Sequence, residues 1–233
     1  MVSLPSGLLT CLVRFTAVRT LSRIAGAWAL GMGLLLIGLH GARAGDTPTI
    51  LVFGDSLSAA YGLRPEQGWV SLLQQRLTMQ GYGYTVVNAS ISGETTSGGL
   101  QRLPRALSLH RPAIVVLELG ANDGLRGLPL GTARDNLAHM IDLARQAHAR
   151  VLLLGIRLPP NYGPRYGGGF AQMYTDLSAQ QQVPLVPFLL AKVALNADLM
   201  QADGLHPAAA GERPVLDTVW PDLVPLLSRT QHE

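Results

Sequence analysis

Five short runs of apolar residues recur along the chain, and this recurrence limits its fold more than any other feature. The runs cover residues 50–53, 85–87, 114–117, 151–154 and 185–188. Each run is almost entirely apolar rather than alternating between apolar and polar, which is typical of strands buried on both faces of a parallel sheet. The sequence therefore predicts five strands that are covered by helices on both sides.

Between these runs, apolar residues recur at the spacing of one helix face. The stripes comprise Val70, Leu73 and Leu77; Leu100, Leu103 and Leu107; and Ala133, Leu137, Met140, Ile141 and Ala144. They predict amphipathic helices that cross over between parallel strands. Strands and helices together predict an α/β fold, a three-layer α/β/α sandwich with a five-stranded, mainly parallel sheet.

Two further segments are assigned from their prolines and glycines. Residues 159–170 hold three prolines and a run of three glycines, and they are predicted to form an irregular loop, either functional or merely mobile. A last helix is expected to start at Pro207, because proline suits a first helical position. Pro214 and Pro221 should shorten or kink that helix.

The first 44 residues have the pattern of an export signal. Arg14, Arg19 and Arg23 precede an apolar run over residues 24–39, and residues 42–44 (Ala-Arg-Ala) provide a small-x-small cleavage site. We predict a signal peptide over residues 1–44 and a single domain over residues 45–233, exported to the periplasm or, as the alternative, secreted. An uncleaved membrane anchor is disfavoured, because the run falls short of the roughly 20 residues of a spanning helix.

The charge and cysteine content of the predicted domain limit its partners. Losing the four arginines of residues 1–44 takes the formal charge from +3 to −1, so no cationic face is expected for nucleic acid. The single cysteine, Cys11, lies in the signal, and the domain must therefore be stable without disulfides. Residues 45–233 are enough to bury one sizeable core.

Small and polar residues follow the predicted strands. The segments are Gly54-Asp55-Ser56-Leu57, Asn88-Ala89-Ser90-Ile91-Ser92-Gly93, Gly120-Ala121-Asn122-Asp123, Gly155-Ile156-Arg157 and, further on, Asp203-Gly204-Leu205-His206-Pro207. Ligands of open parallel sheets bind beyond the carboxyl ends of the strands. We therefore expect a functional site where these segments meet.

Ser56, His206 and Asp203 together suggest nucleophilic catalysis. Ser56 is expected on a tight strand-to-helix turn, where its hydroxyl is exposed and free N–H groups favour an anion. A hydroxyl becomes a good nucleophile when a base takes its proton, and Asp203 could orient His206 for that task across one helical turn. Taken singly, Ser56 is more often a helix cap, and Asp203 a cap or turn residue beside an exposed His206.

Acyl transfer also needs donors that are aimed at a developing oxyanion. Candidates are the N–H groups of Ser56 and Gly93 and the side-chain amide of Asn122, although glycine and asparagine are also common turn residues. The remaining histidines of the domain are predicted to lie on the surface: His110, His139, His148 and His232. Ligands at regular spacing are too few to predict a metal site.

In order and spacing, four of these segments resemble the sequence blocks of the SGNH, or GDSL-type, hydrolases. The matching blocks are Gly54-Asp55-Ser56-Leu57, Gly93, Gly120-Ala121-Asn122-Asp123 and Asp203-Gly204-Leu205-His206-Pro207. Gly124-Leu125-Arg126-Gly127, Arg157-Leu158-Pro159 and Asn161-Tyr162-Gly163 are similar to the branch of bacterial periplasmic thioesterases, lysophospholipases and arylesterases. The resemblance covers nearly all of residues 45–233, and no catalytic position departs from it.

The resemblance implies a flavodoxin-like SGNH hydrolase fold and a serine hydrolase of acyl thioesters, aryl esters and lysophospholipids. Ser56 would be the nucleophile, His206 the base and later the acid, and Asp203 the partner that orients His206. Ser56, Gly93 and Asn122 would form the oxyanion hole, and no cofactor or metal would be required. The acyl pocket would be bordered by Gly124, Leu125, Arg126, Gly127, Leu158 and Pro159. We expect a monomer whose partner is its small acyl ester or thioester substrate.

Three alternatives differ in what the sequence should show. A carbohydrate O-deacetylase would use the same four blocks with a short acetyl pocket, whereas Leu125, Leu158 and Pro159 favour longer acyl groups. A nucleotide- or flavin-binding module would carry a glycine-rich phosphate loop after the first strand, and neither Gly-x-Gly-x-x-Gly nor Gly-x-x-x-x-Gly-Lys-Ser/Thr occurs. A catalytically dead binding protein is disfavoured, because every proposed catalytic position holds a competent side chain.

Overall fold

The computed structural model describes residues 47–228, so the predicted signal peptide, Cys11 and His232 lie outside the described residues. Five parallel strands form one sheet in this part of the chain. The strands are β1 (Thr49–Gly54), β2 (Thr85–Asn88), β3 (Ile114–Glu118), β4 (Arg150–Leu154) and β5 (Leu185–Val186). The prediction of five strands is confirmed. β5 ends before Pro187, which has no N–H group to donate to a ladder.

The order of the strands in the sheet is β2-β1-β3-β4-β5. β1 therefore lies between β2 and β3, and Val52 pairs with Asn88 on one side and with Val116 on the other. The direction in which successive strands are added reverses at β1. Such a reversal opens a crevice beyond the carboxyl ends of β1 and β3.

Helices cover both faces of the sheet. They are α1 (Trp69–Met79), α2 (Thr96–His110), α3 (Ala121–Leu125), α4 (Leu130–Gln146), α5 (Pro164–Gln181) and α6 (Glu212–Leu223). The helices α1 and α6 pack against each other, whereas α4 packs against both α2 and α5. The architecture is the predicted three-layer α/β/α sandwich.

The core consists of the strands and the helix stripes that the sequence predicts. Ile50, Leu51, Val52 and Phe53 of β1 are fully buried. The predicted stripes also face the core: Val70, Leu73, Leu77, Leu103, Leu107, Ala133, Leu137, Met140, Ile141 and Ala144 are buried, and Leu100 is half-buried. Burial of these side chains supplies the main favourable term in folding, and it fixes the loops at the carboxyl edge of the sheet.

The predicted irregular loop over residues 159–170 is wrong. Residues Pro160–Tyr162 form one turn of 3₁₀ helix, and α5 begins immediately afterwards at Pro164, in the first helical position. The helix includes all three glycines of residues 167–169. It forms in spite of them because its inner face buries Phe170, Met173, Tyr174 and Leu177, and tertiary packing overrides weak helix propensity.

The predicted start of the last helix at Pro207 is also wrong. Pro207 pairs instead with Met200 in an isolated antiparallel bridge, and α6 begins at Glu212. Pro214 falls within the first turn of α6, where a missing N–H breaks no helical hydrogen bond. Pro221 lies inside the helix close to its end.

Candidate active site

Ser56 lies in a series of turns that follows β1 over residues 55–63. The turn is held by the amide of Ala59, which donates to the carbonyl of Asp55 (3.0 Å), and by the amide of Tyr61, which donates to the carbonyl of Ser56 (3.2 Å). The expectation that a regular helix starts at Ser56 is therefore wrong, since the first α-helix after β1 begins at Trp69. The hydroxyl of Ser56 caps no helix and bonds to a histidine instead.

His206 joins Ser56 to Asp203 by two short hydrogen bonds. Its Nε2 lies 2.8 Å from the Oγ of Ser56, although the two residues are 150 positions apart. Its Nδ1 lies 2.7 Å from the Oδ2 of Asp203. A carboxylate can only accept a hydrogen bond, so the network assigns the ring proton to Nδ1 and leaves Nε2 free to accept from the Ser56 hydroxyl.

Asp203 and His206 face each other because of a tight turn and not because of a helix. The Oδ1 of Asp203 accepts hydrogen bonds from the backbone amides of Leu205 (2.9 Å) and His206 (3.0 Å). Gly204 takes a φ of +66°, a conformation that glycine adopts without the usual steric cost. The prediction that the pair spans one helical turn is therefore wrong, but the predicted contact between the Asp203 carboxylate and the His206 ring is present.

The hydrogen bonds to Asp203 also control its charge. Partial burial favours the neutral acid, but the bonds from the His206 ring and from the two backbone amides outweigh burial and lower the pKa of Asp203 below its ordinary value. The carboxylate is therefore ionised near neutral pH, and it can stabilise a positive charge on His206.

The three predicted oxyanion donors come from the ends of β1, β2 and β3. Within residues 47–228, the backbone amides of Ser56 and Gly93 have no hydrogen-bond acceptor, so both are free for a ligand. Gly93 has a φ of +79°. The amide of Ile91 donates to the carbonyl of Gly54 (3.0 Å), which fixes the loop that carries Gly93 beside the end of β1.

Asn122 is more constrained than the sequence suggests. Its Nδ2 donates to the Oδ2 of Asp55 (3.1 Å) and to the carbonyl of Glu94 (3.0 Å). An amide nitrogen carries two hydrogens, so a third acceptor can be bound only by sharing one of them. The two bonds hold the side chain rigidly between the loops that follow β1 and β2.

Two buried carboxyl groups, those of Asp55 and Glu118, form hydrogen bonds that stabilise the turn around Ser56. Glu118 accepts from the amide of Asp55 (3.2 Å) and from the hydroxyl of Ser58 (2.8 Å), both at Oε2. Burial raises the pKa of Asp55 to about 6, and burial together with the nearby Asp55 charge raises the pKa of Glu118 well above its ordinary value. Burial thus favours the neutral form of Glu118, whose Oε2 accepts both of these bonds.

A cavity of about 920 Å³ opens beside Ser56 and His206. Asn122, Leu125, Leu158 and Pro159 are among the residues that line it. Of the other predicted border residues, Gly124 lies behind Leu158, Arg126 donates to the carbonyl of Gly93 (3.1 Å), and Gly127 has a φ of +65°. These three residues are not part of the lining.

A second wall of this cavity was not predicted from the sequence. It is made largely by the segment between β5 and the Asp203 turn: Pro187, Phe188, Leu190, Ala191, Ala194, Leu195 and Met200 line the cavity there. These residues form irregular turns, so their spacing carries no periodic signal. Their apolar character was the one sequence feature that could have indicated a role in the pocket.

Residues 47–228 contain neither a metal-binding cluster nor a helix that could span a membrane. Among residues 47–228, no group of three or more His, Cys, Asp or Glu side chains is arranged to hold a metal ion. No helix in the same part of the chain is both long and apolar enough to cross a membrane. Of the histidines predicted to lie on the surface, His139 and His148 are exposed and His110 is half-buried, whereas His232 lies outside the described residues.

The sequence is similar to three bacterial enzymes over most of their length. It is 56% identical over 179 residues to esterase TesA from Pseudomonas aeruginosa, covering 77% of this chain and 89% of the relative. It is 44% identical to arylesterase from Vibrio mimicus, covering 83% and 96%. It is 40% identical to thioesterase 1/protease 1/lysophospholipase L1 from Escherichia coli, covering 80% and 88%.

Solved structures have the same fold. A crystal structure of TesA superposes with a TM-score of 0.76 at 56% identity, covering 77% of this chain and 99% of that one. Esterase EstA from Pseudoalteromonas, inhibited by monoethylphosphonate, superposes with a TM-score of 0.73 at 42% identity, covering 77% and 98%. The pattern of the GDSL-like lipase/acylhydrolase family matches residues 52–213. The chain therefore belongs to the GDSL-like lipase/acylhydrolase family.

Proposed function

We propose that this protein is a serine hydrolase that cleaves carboxylic esters and thioesters through an acyl-enzyme on Ser56. The observation that carries the proposal is the continuous chain of hydrogen bonds from Ser56 Oγ through His206 to Asp203, at the mouth of an apolar cavity. A base within hydrogen-bond reach of the hydroxyl, itself oriented by a third group, is the arrangement that activates serine.

The proposed reaction uses each group in turn. Ser56 Oγ attacks the acyl carbonyl carbon while His206 Nε2 accepts the hydroxyl proton, and the amides of Ser56 and Gly93 with the Asn122 side chain stabilise the oxyanion. His206 then gives its proton to the departing alcohol or thiol, leaving the acyl group on Ser56. Water attacks this ester with His206 again as base, which releases the acid and restores the serine.

We propose acyl thioesters, aryl esters and lysophospholipids as the substrate classes. The names of the three relatives support these classes, since they are an esterase, an arylesterase and a thioesterase/lysophospholipase. Leu125, Leu158 and Pro159 would contact the acyl chain. Gly124, Arg126 and Gly127 would not contact the acyl chain and would act by shaping the end of α3, which carries Leu125.

A carbohydrate O-deacetylase is the less favoured alternative, because an acetyl group would leave most of the 920 Å³ cavity empty. A series of nitrophenyl esters with acyl chains of increasing length separates the two. We expect kcat/KM to rise from the acetyl ester to longer chains. A maximum at acetyl would favour the deacetylase.

We also propose that residues 1–44 are removed on export and that residues 45–233 act as a monomer in the periplasm without a membrane anchor. The arginine-rich start, the apolar run and the Ala-Arg-Ala site support this. Mass spectrometry of the protein from a periplasmic fraction should find Gly45 at the new N-terminus, and light scattering should give the mass of one chain. An intact N-terminus in the membrane fraction would contradict it.

The experiment that tests the enzymatic proposal is labelling by a fluorophosphonate with the adduct mapped by mass spectrometry. We expect the label at Ser56 and its loss in Ser56→Ala and His206→Ala. Ser92→Ala is the matched control, because Ser92 is exposed beside Gly93 and should change nothing. A label on any other serine, or full labelling of His206→Ala, would contradict the proposed nucleophile and base.

A further inference from the structure

The loop that carries Asp203 and His206 has its two ends joined to each other. It contacts the turn that carries Ser56 at few points. Met200 and Pro207 pair in an antiparallel bridge, which brings the two ends of the loop together. We call residues 200–207 the base loop and residues 55–63 the nucleophile turn. The distance between Ser56 and His206 depends on how these two segments are held against each other.

Gln201 joins the two segments with one side chain. Its Nε2 donates to the carbonyl of Tyr61 (2.7 Å) in the nucleophile turn and to the carbonyl of Pro207 (2.9 Å) in the base loop. Both hydrogens of the amide are thereby used. Its backbone amide donates to the carbonyl of His206 (2.8 Å). One residue thus binds the backbone of the proposed base, the backbone of the residue after it and the backbone of the nucleophile turn.

Two further features fit this bridge. Gly62 has a φ of +74°, and a Cβ atom there would lie 2.4 Å from the Oε1 of Gln201, so the glutamine packs where only glycine leaves room. The ring of Tyr61 lies against the imidazole of His206, with centroids 4.6 Å apart. Tyr61 therefore has two contacts: its ring lies on the proposed base, and its carbonyl accepts the hydrogen bond from Gln201.

Few other polar or aromatic contacts connect the segments. Within residues 47–228, the hydrogen bonds and ring contacts between the nucleophile turn and the base loop are the Ser56–His206 bond, the Tyr61–His206 contact and the Gln201 bond to Tyr61. Of these, only the Gln201 bond leaves the reacting groups untouched, so it can hold the segments together while Ser56 and His206 exchange a proton.

We propose that Gln201 is a positioning residue that sets the distance between Ser56 and His206 by holding the base loop against the nucleophile turn. The inference rests on the proposed hydrolase function. Gln201 does not line the cavity beside Ser56, and its amide does not exchange a proton in the proposed reaction. It acts through the placement of His206, so its loss should reduce turnover and leave substrate binding unchanged.

The test replaces Gln201 by methionine, which keeps the length of the side chain and removes both donors. We expect kcat for an aryl ester to fall by about 10- to 100-fold, the effect of a displacement of about 1 Å at a reacting pair, with KM unchanged. The matched control is Gln74→Met. Gln74 is equally half-buried and also bridges two segments, donating to Tyr84 O (3.1 Å) and accepting from Val86 N (2.7 Å), but far from Ser56. Its loss should lower the melting temperature and leave kcat unchanged.

A double-mutant cycle with His206→Ala separates positioning from a general weakening of the fold. If Gln201 acts through His206, Gln201→Met should not lower the residual rate of His206→Ala any further. An equal loss in both backgrounds would overturn the inference, as would an unchanged kcat in Gln201→Met. Absence of ester cleavage and of Ser56 labelling in the unmodified protein would instead overturn the proposed function.

The Tyr61 contact provides a second pair of variants if Gln201→Met does not fold. Tyr61→Leu removes the ring that lies on His206, whereas Tyr61→Phe keeps it and loses only an exposed hydroxyl. We expect the leucine variant to lose kcat and the phenylalanine variant to recover most of it. Equal kcat values in the two variants would show that the ring contact with His206 does not contribute to positioning the base.

Discussion

Asn122 illustrates how much a single side chain does in this site. Its amide connects Asp55, directly before the proposed nucleophile, to the backbone of Glu94, directly after the proposed oxyanion donor Gly93. The bonds fix three loops relative to one another before any substrate arrives. An oxyanion would share one of the two hydrogens that Asn122 already donates, from a side chain that is fixed in place before the reaction.

Replacing Asn122 by alanine should lower kcat by about 10²- to 10³-fold, the usual effect of removing one oxyanion donor. The measurement is the steady-state hydrolysis of an aryl ester. Asn136→Ala is the matched control, because Asn136 also donates from its amide to a side chain, that of the buried Thr96 (Oγ1, 3.1 Å), but does not line the cavity beside Ser56. An unchanged rate in Asn122→Ala would remove this residue from the oxyanion hole.

The sequence indicates individual reactive residues better than the residues that hold them. Ser56, Asp203 and His206 could be selected because their chemistry is distinctive and the four segments lie in order. The turn that joins Asp203 to His206 could not, because Asp-x-x-His fits a helix and a turn equally well. Gln201 is an ordinary polar residue in the printed sequence, and only its three acceptors in the folded chain make it special.

At the scale of elements, α5 shows why local sequence and fold can disagree. Its first turns contain three successive glycines, each of which favours a loop over a helix interior. Four buried side chains further along the helix decide the outcome. The strands were easier to predict, because a run of apolar residues indicates a buried strand by itself. The helix α5, in contrast, forms only because it packs against the rest of the core.

The glycines of α5 should therefore weaken this helix in a measurable way. Gly168 is exposed, and a Cβ atom there would meet nothing within 4 Å. Gly168→Ala should raise the free energy of unfolding by about 0.5–1 kcal/mol, the usual difference between the two residues in a helix. Urea denaturation measures this change, and a lower midpoint in the variant would show that the glycine is needed where it stands.

Gly124 should behave in the opposite way, although it too lies in a helix. A Cβ atom at Gly124 would lie 2.7 Å from Leu158 Cδ2 and 2.8 Å from Phe170 Cε2. Gly124→Ala should cost about 1–3 kcal/mol of stability through overpacking. Because Leu158 lines the cavity, we also expect KM for long-chain esters to change more than KM for acetyl esters. A variant with unaltered stability and KM would contradict this account.

At the scale of the whole molecule, strand order is the information that the apolar pattern does not contain. Each apolar run can pair with any other, so the pattern predicts five strands, whereas the order β2-β1-β3-β4-β5 follows only from the flavodoxin-like fold that the family resemblance implies. That order places the loops after β1 and β3 side by side. The site exists because of it, since Ser56 and Asn122 follow those two strands.

Stability should depend on pH through buried acids. Glu212, buried at the start of α6, accepts from the amide of Trp69 (2.8 Å), and burial raises its pKa to about 7. The folded chain thus binds this proton more tightly than the unfolded chain does, so its contribution is complete below the unfolded pKa of 4.5 and is lost as pH rises through about 7. Asp55, whose pKa burial raises to about 6, acts in the same direction.

Glu212→Gln keeps an acceptor for Trp69 and removes this titration. The loss of unfolding free energy between pH 5 and pH 8 should be smaller in the variant by roughly 2–3 kcal/mol, from the linkage between protonation and folding. Guanidinium titrations at both pH values measure it. Glu66→Gln, at an exposed position, is the control for the exchange of glutamate for glutamine itself. Parallel stability curves for the Glu212 variant and the unmodified protein would contradict the assignment.

The shortness of β5 has a consequence for how the protein behaves at high concentration. With only Leu185 and Val186 in the ladder, this border of the sheet offers a foreign strand almost no row of unpaired amides and carbonyls. Pro187 closes the row at once. Two molecules that meet along this border therefore cannot pair their sheets into a longer one. This protects the protein against the strand-by-strand growth that leads to fibres.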